Sequence, residues 1–290
     1  MINDVLIDQL IAIVEEAHSA IMAVYGRPAA FEIQHKLDNS PVTSADQAAN
    51  AIILAGLQAI SSWPIISEEV ELPSVQMRQA QKTYWLVDPL DGTRGFIAQT
   101  DDFTVNIALM HNNKPLLGVV GIPISGEIFV GVNKPHESYA FKQIGNKRAS
   151  IQIQPLHARQ TNAHPLRLWV SRHHRQERLE WLSDAVRARL AMTTQVYGAG
   201  SSLKFCRLAE GEGDLYLRFG PTSEWDVAAG QAVLAGAGGN VYGINTSGNL
   251  HEFFYNKTSI LNGPFCAIAD DKISDKIEGV IKQVLAQMDK

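Results

Sequence analysis

The sequence predicts a layered α/β protein, with an α+β arrangement in its first half, and three observations carry that reading. Apolar residues recur at three- and four-residue steps over residues 3–25, as on one face of a helix. Four β-rich segments within residues 103–142 follow one another across short turns, as in an antiparallel meander. From residue 166 onward strands alternate with helices, the pattern of helices laid on a sheet. At 290 residues and 46% hydrophobic content the chain can bury a sizeable core, as two small domains or one large layered one.

On the first helix Val5, Leu6, Leu10, Ile13, Val14, Ala17, Ile21 and Val24 oppose Asp8, Glu15, Glu16 and His18, and Gly26-Arg27-Pro28 stops it. Residues 31–37 alternate as a strand does, with His35 on the polar face. The turn-rich run 38–46 leads into a helix over about 47–60, with Ser44 its expected N-cap. Asp46 suits the first-turn dipole of that helix and suits a functional site equally. Trp63-Pro64-Ile65-Ile66 is a short strand delivering Ser67-Glu68-Glu69, and the polar stretch 71–83 reads as a mobile loop. Strands follow at 103–110, 116–122, 127–132 and 138–142, separated by Asn112-Asn113, Ser125-Gly126 and Lys134-Pro135, with a weaker one at 150–154. The polar segment 157–164 marks a boundary between two halves, residues 1–160 and 161–290. In the second half strands at 166–170, 194–197 and 214–218 alternate with helices at 175–190, 201–210 and 225–234. Strands near Val241 and Ile260 precede a last helix at 273–288.

The formal charge of -5 and a pI near 6.0 arise from interspersed acids and bases, which excludes a sequence-independent nucleic-acid surface. Cys206 and Cys266 lie far apart without metal-ligand spacing and read as reduced structural thiols. The N-terminus carries no basic region, and every apolar stretch is interrupted before it could span a bilayer, so a cytoplasmic location is expected.

Chemistry concentrates in Trp85-Leu86-Val87-Asp88-Pro89-Leu90-Asp91-Gly92-Thr93, where a buried strand ends in two aspartates three residues apart. Carboxylates about 4 Å apart repel by roughly 4 kcal/mol near a protein surface, so Asp88, Asp91 and Glu68, once brought together, need a cation or a proton. All-oxygen ligation suits Mg²⁺, and the turn at Pro89 aims the Leu90 carbonyl at the same ion. Gly92 and Thr93 add backbone N–H groups for a phosphate. In isolation the same residues serve as a strand cap and a turn.

Ser67-Glu68-Glu69, the 85–93 stretch and Glu224-Trp225-Asp226-Val227-Ala228-Ala229-Gly230 together resemble, in order and spacing, the signature series of the inositol monophosphatase superfamily of Mg²⁺-dependent, lithium-sensitive phosphatases. The similarity runs from the first helix through Ser40-Pro41-Val42-Thr43-Ser44-Ala45-Asp46 to residues 255–262, nearly the whole chain. The resemblance implies the alternating α-β-α-β-α sandwich shared by inositol monophosphatase and fructose-1,6-bisphosphatase. It implies metal ligands Glu68, Asp88, Asp91, Asp226 and the Leu90 carbonyl for two or three Mg²⁺ ions, with Asp88 bridging two of them. Thr93, held by Asp46, would then activate the attacking water, which decides Asp46 in favour of function, and Glu69 falls just behind the ligands. Read alone, Asp226 is an N-cap and Trp225 a core aromatic.

Substrate identity rests on the second half. Ser201 and Lys204, three apart at a helix start, share a face and offer a hydroxyl, an ammonium and backbone N–H groups to an anion. Along 214–218, Leu215 and Leu217 point to the core while Tyr216 and Arg218 point away, and an arginine suits bidentate contact with a second phosphate. Gly200-Ser201-Ser202-Leu203-Lys204-Phe205 with the segment 218–226 resembles the 3'(2'),5'-bisphosphate nucleotidase, CysQ-type branch of the superfamily. There the corresponding Ser, Lys and Arg hold the uncleaved phosphate. Asp91, Gly92, Thr93 and Asp226 complete the substrate contacts that this implies. The expected reaction is hydrolysis of the 3'-phosphate of adenosine 3',5'-bisphosphate, or of its sulfated form, within sulfur metabolism. An inositol or sugar phosphatase and a silent metal- and nucleotide-binding sensor are the alternatives. His173 and His174 read as exposed loop residues. By family analogy a homodimer and peripheral membrane association are also open, though no anchor is visible.

Overall fold

Helix α1 (Asp4–Tyr25) opens on Asn3, whose side chain accepts the Leu6 N–H at 2.9 Å, and it buries Leu6, Leu10, Val14, Ala17 and Ile21 along the predicted face, while Val5 of that face is exposed and His18 of the predicted polar face is buried. The computed structural model describes residues 2–27, 33–35, 41–156, 164–172 and 176–288. The predicted boundary at 157–164 therefore lies almost wholly outside the described residues, as do His173 and His174. After α1 come β1 (Ile33–His35), β2 (Pro41–Thr43), α2 (Ser44–Ile60), β3 (Ile65–Ser67), α3 (Val75–Gln79), β4 (Thr83–Asp91) and α4 (Thr93–Ile97). The meander follows as β5 (Thr104–His111), β6 (Lys114–Ile122), β7 (Glu127–Lys134), β8 (Glu137–Ile144) and β9 (Lys147–Ile151). The second half holds β10 (Leu166–Ser171), α5 (Gln176–Leu190), β11 (Thr194–Ala199), α6 (Leu203–Ala209), β12 (Leu215–Arg218), β13 (Thr222–Ser223) and α7 (Trp225–Gly236). It closes with β14 (Asn240–Ile244), β15 (Leu250–Glu252), β16 (Leu261–Asn262), β17 (Phe265–Ile268) and α8 (Ser274–Met288).

Strands β3 to β9 form one sheet in sequence order, antiparallel except for the parallel pair β3–β4. The second sheet runs β11-β10-β12-β17-β14-β15 and mixes parallel with antiparallel pairs. Among the described residues three apolar clusters define the layers. One joins α1 and α2 to the first sheet, one fills the space between the sheets with α6 and α7, and one joins α5 and α8 to the second sheet. This is the expected α-β-α-β-α sandwich. Side-chain alternation assigns the faces of β4: Trp85 and Val87 meet α1 and α2, while Tyr84 and Leu86 meet the α6–α7 layer.

Helix α7 lies unusually close to the first sheet. A Cβ on Gly131 would stand 2.2 Å from the Ala232 carbonyl oxygen, and one on Gly118 would stand 2.3 Å from that of Ala229. Only glycine permits that approach, which brings the start of α7 to the end of β4.

Several local expectations are corrected. The N-cap of α2 is Thr43, not Ser44, because Thr43 and Asp46 form a reciprocal capping box that Ser44 cannot make. Residues 71–83 are not a loose loop: α3 forms there, and the buried Arg78 guanidinium donates to the carbonyls of Pro73, Lys257 and Thr258 at 3.1–3.3 Å. The strand placed near Ile260 is the two-residue β16. The core strand is β17, whose four buried residues show no alternation from which to read it. Tyr216 does not point away from a core; both faces of β12 are buried, and Tyr216 packs on Phe205 and Phe265 between the sheets.

Candidate active site

The acidic corner is built by an irregularity in β4. Asp88 pairs with Asn106 and Asp91 with Thr104, so three steps on β4 oppose two on β5. Residues three apart on a regular strand face opposite sides, and the extra residue at Pro89-Leu90 turns Asp88 and Asp91 to the same side. Pro89, with no N–H to donate, fits a ladder that is interrupted at that point. The parallel pairing Ser67↔Val87 sets Glu68 beside Asp88, and the Glu68 N–H donates to the Val87 carbonyl at 3.1 Å. Ser67 donates to Asn50 Oδ1 at 2.7 Å and fastens this strand end to α2.

Carboxylate oxygens of Glu68, Asp88 and Asp226 lie within 4.8 Å of one another, with Asp91 adjoining them. Asp226 sits inside the first turn of α7, not at its N-cap, and its Oδ2 accepts the Ser223 N–H at 2.8 Å. Burial, then Glu68, Asp91 and Asp226, drives the Asp88 carboxyl well above its ordinary range. Burial, then Asp91 and Glu68, does the same to Asp226. Asp91 is pushed up to about 6 by burial, against the pull of the Lys204 ammonium. A donor set of oxygens that resists ionisation without a countercharge is what a divalent cation relieves.

Thr93 begins α4 directly after Gly92, whose φ of +91° and contact with the Asp102 carbonyl leave no room for a Cβ. Thr93 Oγ1 lies 3.2 Å from Asp46 Oδ1 and 3.2 Å from the Leu90 carbonyl oxygen, which therefore faces the same corner. The other Asp46 oxygen accepts the Thr43 N–H at 2.7 Å and its hydroxyl at 2.6 Å. Burial raises the Asp46 carboxyl above its ordinary range.

The substrate-side residues also converge. Asp91, Ser201, Lys204, Arg218 and Asp226 line one pocket of about 120 Å³. Lys204, however, is no exposed ammonium on a helix face. It is buried, and Nζ donates to the carbonyls of Ala199, Gly200 and Ser201 at 3.1, 2.8 and 2.6 Å, while burial brings its pKa down to about 7. Helix α6 begins at Leu203, and Ser201 precedes it with φ of +47°, a strained value for serine. Arg218 is fixed by donating to the Gly220 and Pro221 carbonyls and to the Ser171 hydroxyl. The Glu69 backbone N–H, next to the acidic corner, donates to Ser67 Oγ at 3.4 Å.

Residues that sequence reasoning passed over hold these groups in place. Asn106, buried in β5, donates to Asp91 at 3.5 Å and accepts from Ser202 at 2.6 Å, and Ser202 also meets Thr104 at 2.8 Å. An asparagine inside the apolar run 103–110 was the available signal. Glu224 accepts the N–H groups of Asn256 and Lys257 and the Lys257 ammonium, fastening the start of α7 to the turn that Arg78 grips from the other side. No signal within either segment marks that clamp.

Fold and site define a phosphatase class: the family model for the inositol monophosphatase family matches residues 3–284, and the chain belongs to that family. Among its curated relatives, the 3'(2'),5'-bisphosphate nucleotidase CysQ of Escherichia coli K12 is 41% identical over 239 residues, covering 82% of this chain and 90% of the relative. The CysQ of Buchnera aphidicola is 36% identical over 265 residues, covering 91% and 94%. The crystal structure of CysQ from Bacteroides thetaiotaomicron superposes with a TM-score of 0.70 at 31% identity, covering 90% of this chain and 97% of that one. The Thermotoga maritima IMPase, at a TM-score of 0.74 and 20% identity over 97% and 98%, shares the fold. Among the described residues no helix is long and apolar enough to cross a membrane.

Proposed function

We propose that this chain is a Mg²⁺-dependent phosphatase that hydrolyses the 3'-phosphate of adenosine 3',5'-bisphosphate to give AMP and phosphate, or that of its sulfated form to give adenosine 5'-phosphosulfate and phosphate. The observation that carries the reading is the carboxylate set Glu68, Asp88 and Asp226, with Asp91 beside it, facing a pocket walled by Arg218. These four side chains and the Leu90 carbonyl would hold two or three ions. Bound there, Mg²⁺ supplies Lewis-acid polarisation of the phosphoryl group, acidification of water and neutralisation of developing charge.

The chain's own residues supply position and proton transfer. Asp46 Oδ2 is held by Thr43, which leaves Oδ1 to accept from the Thr93 hydroxyl. Thr93 Oγ1 orients the attacking water and takes its proton as its own passes to Asp46 Oδ1, whose raised affinity for a proton suits a base. Arg218, its guanidinium fixed by three acceptors, presents a preorganised cation to the phosphate that stays, with Ser201 beside it. Lys204 shapes the 199–201 loop through its carbonyls. The division near residue 160 assigns Glu68, Asp88 and Asp91 to the first half, and Asp226 and Arg218 to the second.

A phosphate-release panel with and without Mg²⁺ tests the reading. The expected order is adenosine 3',5'-bisphosphate well above inositol 1-phosphate, with loss of release in chelator and inhibition by lithium. Faster release from inositol 1-phosphate would overturn the substrate assignment.

A further inference from the structure

A second pocket, of about 240 Å³, adjoins the first and shares Ser201, Lys204 and Arg218 with it. Its own wall adds Arg94, Thr100, Asp102 and Arg172, and neither Glu68, Asp88 nor Asp226 reaches it. It is thus the end of the site remote from the acidic corner, and it has twice the volume of the inner pocket.

The charge of this pocket is lopsided in a chain whose formal net charge is -5. Among the described residues four cationic side chains line it against one carboxylate. The Lys204 ammonium is occupied by three carbonyls. Asp102, buried, does not neutralise the others so much as aim one of them. Its Oδ2 accepts Nε of Arg172 at 2.7 Å and also Nη2, together with the Gly200 N–H at 3.0 Å, so one oxygen orients the guanidinium and fixes the substrate loop. The Arg172 side chain remains 44% exposed. Arg94 directly follows Thr93 on α4, and among the described residues its guanidinium has no hydrogen-bond or ion-pair partner. Arginines held at a cavity wall with donors to spare match tetrahedral oxyanions through forked N–H pairs.

We propose that Arg94 and Arg172 are specificity-determining residues that bind the tetrahedral anion on the 5' carbon of the substrate, across the outer pocket from Arg218. This rests on the nucleotidase reading above. Two substrates carry that chemistry, a 5'-phosphate and a 5'-phosphosulfate. In the latter a second tetrahedral group extends outward.

The test compares kcat/KM for adenosine 3',5'-bisphosphate, its 5'-phosphosulfate and adenosine 3'-monophosphate, which lacks the anion. The enzymes are the wild type, Arg94→Gln, Arg94→Lys and Arg172→Gln. The preference for bisphosphate over 3'-monophosphate should fall roughly tenfold in each Gln variant, through KM, with partial recovery in Arg94→Lys. A larger loss on the phosphosulfate assigns the pair to the outer group, and equal losses assign it to the inner one. Arg94 is exposed, so its variants stay informative should Arg172→Gln unfold when Asp102 loses its partner. An active wild type whose preference is unchanged in Arg94→Gln overturns this proposal alone. A wild type inactive on all three substrates overturns the nucleotidase reading and this proposal with it.

Discussion

Replacing Asp88 by Asn should stabilise the metal-free protein while abolishing phosphate release. Oxygens of Asp88, Glu68 and Asp226 lie within 4.8 Å of one another. At an effective dielectric of about 20 each charged pair at that distance repels by about 3.5 kcal/mol, so Asp88 takes part in two such pairs. Protonation limits the penalty, since neutralising an ordinary aspartate at pH 7 costs about 4 kcal/mol. The Asn side chain removes that burden yet keeps an oxygen for the Leu90 N–H, which Asp88 Oδ1 accepts at 3.0 Å. A net gain of about 2–4 kcal/mol corresponds to a rise in Tm of about 5 °C for a chain of this size. The assay is thermal unfolding in chelator and again with Mg²⁺; the added ion should raise the wild-type Tm and hardly move that of the variant. The sign with pH is also fixed. A carboxyl whose pKa is raised on folding contributes stability at low pH that is lost as pH rises through the raised value. The advantage of Asp88→Asn should therefore shrink between pH 7 and pH 5. An Asp88→Asn protein that melts at or below the wild-type temperature in chelator at pH 7 would refute the reasoning.

Asp46→Asn should lower turnover by roughly 10²–10⁴-fold and stability by about 1–3 kcal/mol, because an amide nitrogen facing Thr43 cannot accept its N–H; wild-type turnover in that variant would exclude the Thr93–Asp46 pair from the chemistry. His18, buried on α1 against Gly121, has its pKa lowered by burial to about 4, so folding stability is complete above about 6.5 and declines by about 3 kcal/mol as pH falls to 4. In denaturant titrations across that window His18→Leu should show a flatter profile, and a slope equal to the wild type's would discount the histidine. Gly131→Ala should cost about 1–3 kcal/mol or more, since its Cβ would meet the Ala232 carbonyl at 2.2 Å; an unchanged Tm would mean that α7 does not rest on the sheet as described.

The carboxylates of the corner were legible because the sequence itself places them. Asp88 and Asp91 close an apolar run, Glu68 directly follows a short strand, and Asp226 opens an apolar helix. The layered architecture was legible for a similar reason, since the 3.6-residue period of α1 and the turns between β5 and β9 are local properties. Helix α3 was not, because its order comes from Arg78 gripping carbonyls roughly 180 positions away. Strand β17 was hidden by burial on both faces, which erases alternation.

What the sequence alone determined, then, is the inventory: strand and helix periods, the acids at the end of β4, and an arginine on β12 suited to a second phosphate. Tertiary structure decided how these groups act. The extra residue at Pro89-Leu90 turns Asp88 and Asp91 to one side, and the glycines under α7 let Asp226 reach them. Folding also took the Lys204 ammonium out of solvent and gave it to the 199–201 carbonyls, while it brought Arg172 to Asp102 across 70 positions. Such pairings depend on through-space distance, and no local period in the chain encodes them.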